Sequence, residues 1–70
     1  MDTKVTNLIK EYRQELGMSQ EALAETVGVS RQSINSIERG RYVPSLSLAL
    51  RFSQFFGCST DELFQIEENS

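Results

Sequence analysis

Apolar residues recur every three or four positions along most of the chain, which is the spacing of amphipathic α-helices. Glycines follow these segments at positions 17, 28, 40 and 57, and glycine is a common residue just beyond a helix end. Serines stand at the start of most of them, where a hydroxyl can accept from free backbone N–H groups. The pattern predicts five short helices, over residues 7–16, 20–27, 31–38, 45–56 and 59–64.

The two ends of the chain follow a different pattern. Residues 4–6 and 64–67 alternate polar and apolar side chains, as a half-buried β-strand does. The alternation predicts either an antiparallel pairing of the two ends or ends that are frayed, and the sequence favours neither. No linker, repeat or low-complexity segment interrupts residues 1–70, so the sequence predicts a single all-α domain with the option of short extended termini.

Composition excludes several classes of function. The chain has no histidine and one cysteine, Cys58, which disfavours a metal site, a nucleophile–base pair and any internal disulfide. A lone reduced thiol and the lack of a signal or membrane segment fit a cytoplasmic location. We therefore expect neither an enzyme nor a cofactor, no membrane association, and no small-molecule ligand.

Charge is distributed unevenly. The net charge is −3, yet residues 30–51 sum to +3 because four arginines stand against Glu38 alone. The remaining segments are acidic, which suits a solubilising surface. The positive segment also carries short amides and hydroxyls, the side chains that suit contacts with DNA bases and phosphates.

Residues 20–39, QEALAETVGVSRQSINSIER, combine two predicted helices with a tight turn at Gly28. Ala24 is small enough for the two helices to cross closely, and apolar residues on both sides supply the contact. This unit resembles the helix-turn-helix of the lambda-repressor-like, Cro/Xre-type family of DNA-binding regulators. The resemblance extends over residues 7–64 and implies a compact five-helix DNA-binding domain.

Within that family the second helix of the unit, residues 31–38, is the recognition helix and enters the major groove. A helical wheel that places Ile34 and Ile37 inward turns the polar side chains outward, with Gln32 and Arg39 most nearly opposite. Arginine and the amides have the donors and acceptors that read guanine and adenine. The resemblance implies base contacts by Arg31, Gln32, Asn35 and Ser36.

The family pattern assigns further roles to Gln20, Arg13 and Glu38, and position beside the recognition helix adds Arg39, Arg41 and Tyr42 as phosphate contacts. Gln20 begins the first helix of the unit, where the family has a phosphate-contacting glutamine, and basic and aromatic residues follow the recognition helix. The implied phosphate contacts are Gln20, Arg39, Arg41 and Tyr42. Arg13 and Glu38 border the core and match a partly buried salt bridge that would orient the recognition helix.

The fourth predicted helix has more apolar surface than a small core covers. One stripe is expected to face inward, namely Leu46, Ala49, Leu50, Ser53 and Phe56. A second set is interpreted as a homodimer seam, formed by Leu48, Phe52, Phe55, Phe64 and Ile66, with coverage by the last helix through Leu63 and Phe64 as the alternative. The leading hypothesis is a homodimeric repressor that reads a palindromic operator in double-stranded DNA. The alternative is a protein-interaction module or antitoxin-like partner on the same fold.

Overall fold

The computed structural model describes residues 3–68. Four of its helices have a serine as the N-cap residue. The side chains of Ser19, Ser30, Ser45 and Ser59 each accept from the backbone N–H three residues later. The helices are α1 (Ile9–Glu15), α2 (Gln20–Val27), α3 (Arg31–Glu38), α4 (Leu46–Phe56) and α5 (Thr60–Leu63), and the strands are β1 (Thr3–Asn7) and β2 (Phe64–Glu68). The predicted mostly helical fold is confirmed, and the predicted bounds of α2 and α3 match residue for residue.

The ends of the described chain pair with each other. Strands β1 and β2 form a two-stranded antiparallel sheet in which Val5 lies opposite Ile66 and Asn7 opposite Phe64. The pairing shortens the outer helices relative to the prediction, because residue 7 belongs to β1 and residue 64 to β2. The backbone N–H of Leu8 donates to the carbonyl of Leu63 at 2.9 Å and joins the start of α1 to the end of α5.

The core lies where the helix-turn-helix unit meets α1, α4 and α5. Its fully or almost fully buried apolar side chains are Ile9, Leu23, Ala24, Val27, Ile34, Ile37, Phe52 and Leu63. The aromatic rings of Phe52 and Phe56 stack at a centroid distance of 6.4 Å, and Tyr12 packs against Phe56 from α1. All five helices therefore contribute to one core, into which α3 inserts Ile34 and Ile37.

The predicted faces of α4 were wrong in part: Ser53 and Phe56 face the core as expected, but other members of both stripes do not. Phe52, assigned to a dimer seam, is fully buried, whereas Leu46 and Leu50, assigned to the core, are 73% and 47% exposed. Leu48 also packs against the core. The sequence of α4 carries two apolar stripes, and the core takes residues from both, with Phe52 the largest side chain that α4 buries there.

Candidate nucleic-acid interface

Helix α3 separates an apolar face from a polar one. Ile34 and Ile37 are fully buried, whereas Arg31 and Gln32 are exposed. Asn35 and Ser36 are half-buried one turn further along. The outer face of α3, defined as Arg31, Gln32, Asn35 and Ser36, lines a polar depression of about 290 Å³ together with Arg41. The structure thus brings together the four predicted base-contacting side chains.

The chain turns sharply after α3 and returns beside it. Gly40 has a φ of 74°, a left-handed conformation that residues with a Cβ adopt at a cost. Its N–H donates to the carbonyl of Ile37 at 3.0 Å, and the N–H of Arg41 donates to Ser36 at 2.9 Å. The turn leaves Arg39, Arg41 and Tyr42 exposed, three of the four predicted phosphate contacts. Arg41 therefore lies next to the outer face, where it adds positive charge.

The predicted ion pair of Arg13 and Glu38 is present. Nε of Arg13 donates to Oε2 of Glu38 at 2.7 Å, and Nη2 donates to Oε1 at 3.1 Å. The remaining terminal nitrogen, Nη1, donates to the carbonyl of Met18 at 2.8 Å. The hydrogen bond to Glu38 raises the pKa of Arg13 above its usual value. The pair joins α1 to the last residue of α3, with side chains only 11% and 3% exposed.

Gln20 takes part in this same network. Its Nε2 donates to Oε1 of Glu38 at 3.1 Å, and its Oε1 lies 3.5 Å from the side-chain nitrogen of Asn35. The sequence suggested that this amide is directed to a phosphate. In the structure the amide instead connects the first residue of α2 to two residues of α3.

Arg51 and Asn7, for which the sequence predicted no role, also hold this region together. Arg51 of α4 donates from Nη1 to the carbonyl of Val27 at 3.1 Å, which satisfies a free carbonyl at the end of α2. Asn7 of β1 donates from Nδ2 to the carbonyl of Ile37 at 3.0 Å. An arginine on a helix and an asparagine before one carry no sequence signal for partners that lie 24 and 30 residues away.

A sequence model of the helix-turn-helix family matches residues 9–63 of this chain. The chain belongs to the helix-turn-helix family of DNA-binding transcriptional regulators. Among similar proteins are a helix-turn-helix-type regulator of Bacillus subtilis, YgzD, and one of Methanothermobacter thermautotrophicus. YgzD is 48% identical over 64 residues, which is 91% of this chain and 97% of YgzD. The Methanothermobacter protein is 49% identical over 63 residues, covering 89% of this chain and 91% of that protein. These relatives are regulators rather than enzymes.

Solved structures of helix-turn-helix regulators share the fold. The P22 c2 repressor, crystallised with a synthetic operator, superposes with a TM-score of 0.73 at 36% identity, over 76% of this chain and 80% of that one. The restriction-modification controller protein C.AhdI of Aeromonas hydrophila gives 0.70 at 31% identity, over 77% and 82% of the two chains. These similarities confirm the resemblance that residues 7–64 suggested.

Away from the interface, this helix-turn-helix regulator exposes several large apolar side chains. We call Val43, Leu46, Leu50 and Ile66 the apolar surface; each is at least 47% exposed. Of the predicted dimer residues, Phe55 and Ile66 are exposed, while Leu48 and Phe64 are half-buried against the core. Among residues 3–68, no helix is long and apolar enough to cross a membrane, and no cluster of three or more potential metal ligands occurs.

Proposed function

We propose that this protein recognises a specific sequence of double-stranded DNA by inserting α3 into the major groove. The observation that carries the proposal is the two-faced character of α3. Two isoleucines fix the helix in the core, and the opposite face presents an arginine, two amides and a hydroxyl around one depression. The P22 c2 repressor, whose structure contains an operator, supports this mode for a chain of the same fold.

The base contacts follow from the chemistry of the outer face. Arg31 and Gln32 stand at the N-terminal end of α3, the end that reaches deepest in this docking mode. A guanidinium suits guanine O6 and N7, and a glutamine amide suits adenine N6 and N7. Asn35 and Ser36, one turn later, contact the next bases.

The phosphate contacts flank this face. Arg39, Arg41 and Tyr42 follow α3 and are exposed, so they can grip the DNA backbone beside the groove. Phosphate binding by Gln20 requires its amide to release Glu38 or Asn35, since both of its polar atoms have partners in this structure. The acidic remainder of the surface opposes non-specific binding, which favours discrimination over plain charge attraction.

The protein is further proposed to act as a homodimeric repressor on a palindromic operator in the cytoplasm. One α3 contacts only a few bases, and two copies on half-sites about 34 Å apart give the needed affinity. Of the predicted seam, Phe55 and Ile66 are exposed and so are available to a second copy. The apolar surface adds Val43, Leu46 and Leu50 to these candidates. Burial of these side chains against a second copy would remove them from water.

Selection of bound duplexes from a random DNA library tests this proposal. Recovery of a motif repeated as an inverted pair, one helical turn apart, is the expected result, and sedimentation of the complex should give two chains per duplex. Recovery of no motif at moderate salt would refute sequence recognition. A motif bound by a single chain would refute the dimer alone.

A second candidate function rests on the same apolar surface, with another protein in place of a second copy. An apolar depression of about 370 Å³ lies between the start of α4 and β2, lined in part by Val5, Leu46, Phe64 and Ile66. Such a depression suits an apolar segment of another protein. Under this alternative the chain is an interaction module or antitoxin-like partner, and substitution of Leu46 would abolish its association without changing DNA binding.

A further inference from the structure

Among the described residues of β1, only Asn7 forms a side-chain hydrogen bond to the helix-turn-helix unit. Its Nδ2 donates to the carbonyl oxygen of Ile37 at 3.0 Å, across 30 residues of sequence. Its Oδ1 accepts from the backbone N–H of Ile9 at 3.1 Å. One amide therefore joins the end of β1, the first residue of α1 and the last turn of α3.

The contact is made at a sensitive point of α3. The carbonyl of Ile37 also accepts from the N–H of Gly40 at 3.0 Å, so both of its acceptor sites are occupied. Gly40 forms the turn that returns Arg41 to the outer face of α3. A shift of this carbonyl would move the C-terminal end of α3 and the turn together.

The two hydrogen-bond partners of Asn7 require an amide side chain at this position. One neighbour is a donor and the other an acceptor, and only a side chain with both functions at this length satisfies the two. Aspartate keeps the acceptor for Ile9 but places a carboxylate against a carbonyl at the negative end of α3. Serine keeps the acceptor and is neutral, yet it is too short to reach Ile37.

We infer that Asn7 is a positioning residue for DNA recognition, which holds the C-terminal end of α3 and the following turn in the pose that reads the operator. The inference rests on the proposed function and adds a residue outside the helix-turn-helix unit to it. Asn7 touches no base under this inference. It acts through the carbonyl of Ile37, so its loss changes the discrimination between sequences more than the general attraction to DNA.

The test compares Asn7→Ser and Asn7→Asp with the full-length wild-type chain. The probes are the operator duplex recovered by selection and a scrambled duplex of equal length and composition, at one salt concentration. Gln65→Glu is the matched control for Asn7→Asp, because it makes the same amide-to-carboxylate change at an exposed position of β2. Circular dichroism establishes the folded fraction of each variant, and affinities are corrected for it.

We expect Asn7→Ser to weaken operator binding about tenfold and to change scrambled-duplex binding by less than about twofold. Asn7→Asp should lose more operator affinity than Gln65→Glu, while the two lose equal affinity for the scrambled duplex. An unchanged ratio of operator to scrambled affinity in folded Asn7→Ser would overturn the inference. So would a variant that does not fold even in the cold, since the residue would then serve general stability. If the wild type itself prefers no sequence, the proposed function fails first; if it discriminates and Asn7→Ser discriminates equally, only the inference fails.

Discussion

Removal of Arg13 should destabilise the protein more than removal of the charge on its partner. Glu38 is the more deeply buried of the two, at 3% exposure, and without Arg13 its carboxylate keeps only the amide of Gln20 at 3.1 Å. A buried charge that loses its partner costs about 3–5 kcal/mol. In Glu38→Gln, by contrast, the guanidinium retains the carbonyl of Met18 and can still donate to the new amide oxygen. That change should cost about 1–3 kcal/mol.

Urea unfolding followed by circular dichroism measures the difference. For a small domain the free energy of unfolding falls by about 1 kcal/mol per molar urea, so Arg13→Met should lower the midpoint by several molar. Lys10→Met is the matched control, since Lys10 is exposed on the same helix and should shift the free energy by less than about 0.5 kcal/mol. The double variant Arg13→Met/Glu38→Met replaces both charges with apolar groups and should recover most of the loss.

Equal losses for Arg13→Met and Lys10→Met would mean that the ion pair contributes nothing beyond a surface charge, contrary to this prediction. A double variant that is as unstable as Arg13→Met would also contradict it. The stranded carboxylate could then not be the cause of the loss.

Three further changes test other parts of the structure. Ser53→Ala should stabilise the fold by about 1 kcal/mol, because the buried hydroxyl of Ser53 has no hydrogen-bond partner among the described residues. The urea midpoint should rise, and a lower midpoint would contradict this prediction. Gly28→Ala should lower the free energy of unfolding by about 1–2 kcal/mol in the same assay, since φ of Gly28 is 82° and the new Cβ would lie 3.2 Å from Nη1 of Arg51. An unchanged free energy of unfolding would mean that the turn accommodates the side chain without strain. Gln32→Ala should reduce the preference for the correct base at one operator position by about 1–3 kcal/mol. Arg41→Ala should weaken binding to every DNA sequence and reduce its salt dependence. Equal effects of both variants on specific and non-specific binding would contradict the assignment of Gln32 to a base and Arg41 to a phosphate.

The helix-turn-helix unit could be predicted closely because its signals are local. Serine caps stand directly before α2 and α3, and Gly28 takes the left-handed conformation between them. The buried positions of both helices follow from a single apolar stripe on each. Local chemistry therefore determines these elements almost completely.

The faces of α4 could not be predicted in the same way. Its two apolar stripes are nearly equal in sequence, and the core takes residues from both. Phe52 of one stripe and Ser53 of the other are buried, whereas Leu46 and Leu50 are exposed. Tertiary packing, rather than the periodicity, decides this orientation.

The sheet and the polar contacts depend on distant residues as well. Alternation at the ends indicated strands, but their pairing joins residues more than fifty positions apart. The sequence around Asn7 and around Gln20 indicates the element in which each residue lies, but it does not indicate their hydrogen-bond partners, which lie on α3. The candidate DNA face was predictable from residue types, and the Arg13–Glu38 ion pair from the family resemblance, whereas the contacts of Asn7 and Gln20 with α3 were not.

Backbone amide NMR shifts of ¹⁵N-labelled protein, recorded while the selected operator is added, report which residues contact the DNA. The largest changes are expected at Arg31, Gln32, Asn35 and Ser36 and at the turn that carries Arg41. A scrambled duplex should cause small, salt-sensitive changes at the same turn. Operator-induced changes confined to the apolar surface, with the outer face of α3 unaffected, would contradict recognition through α3.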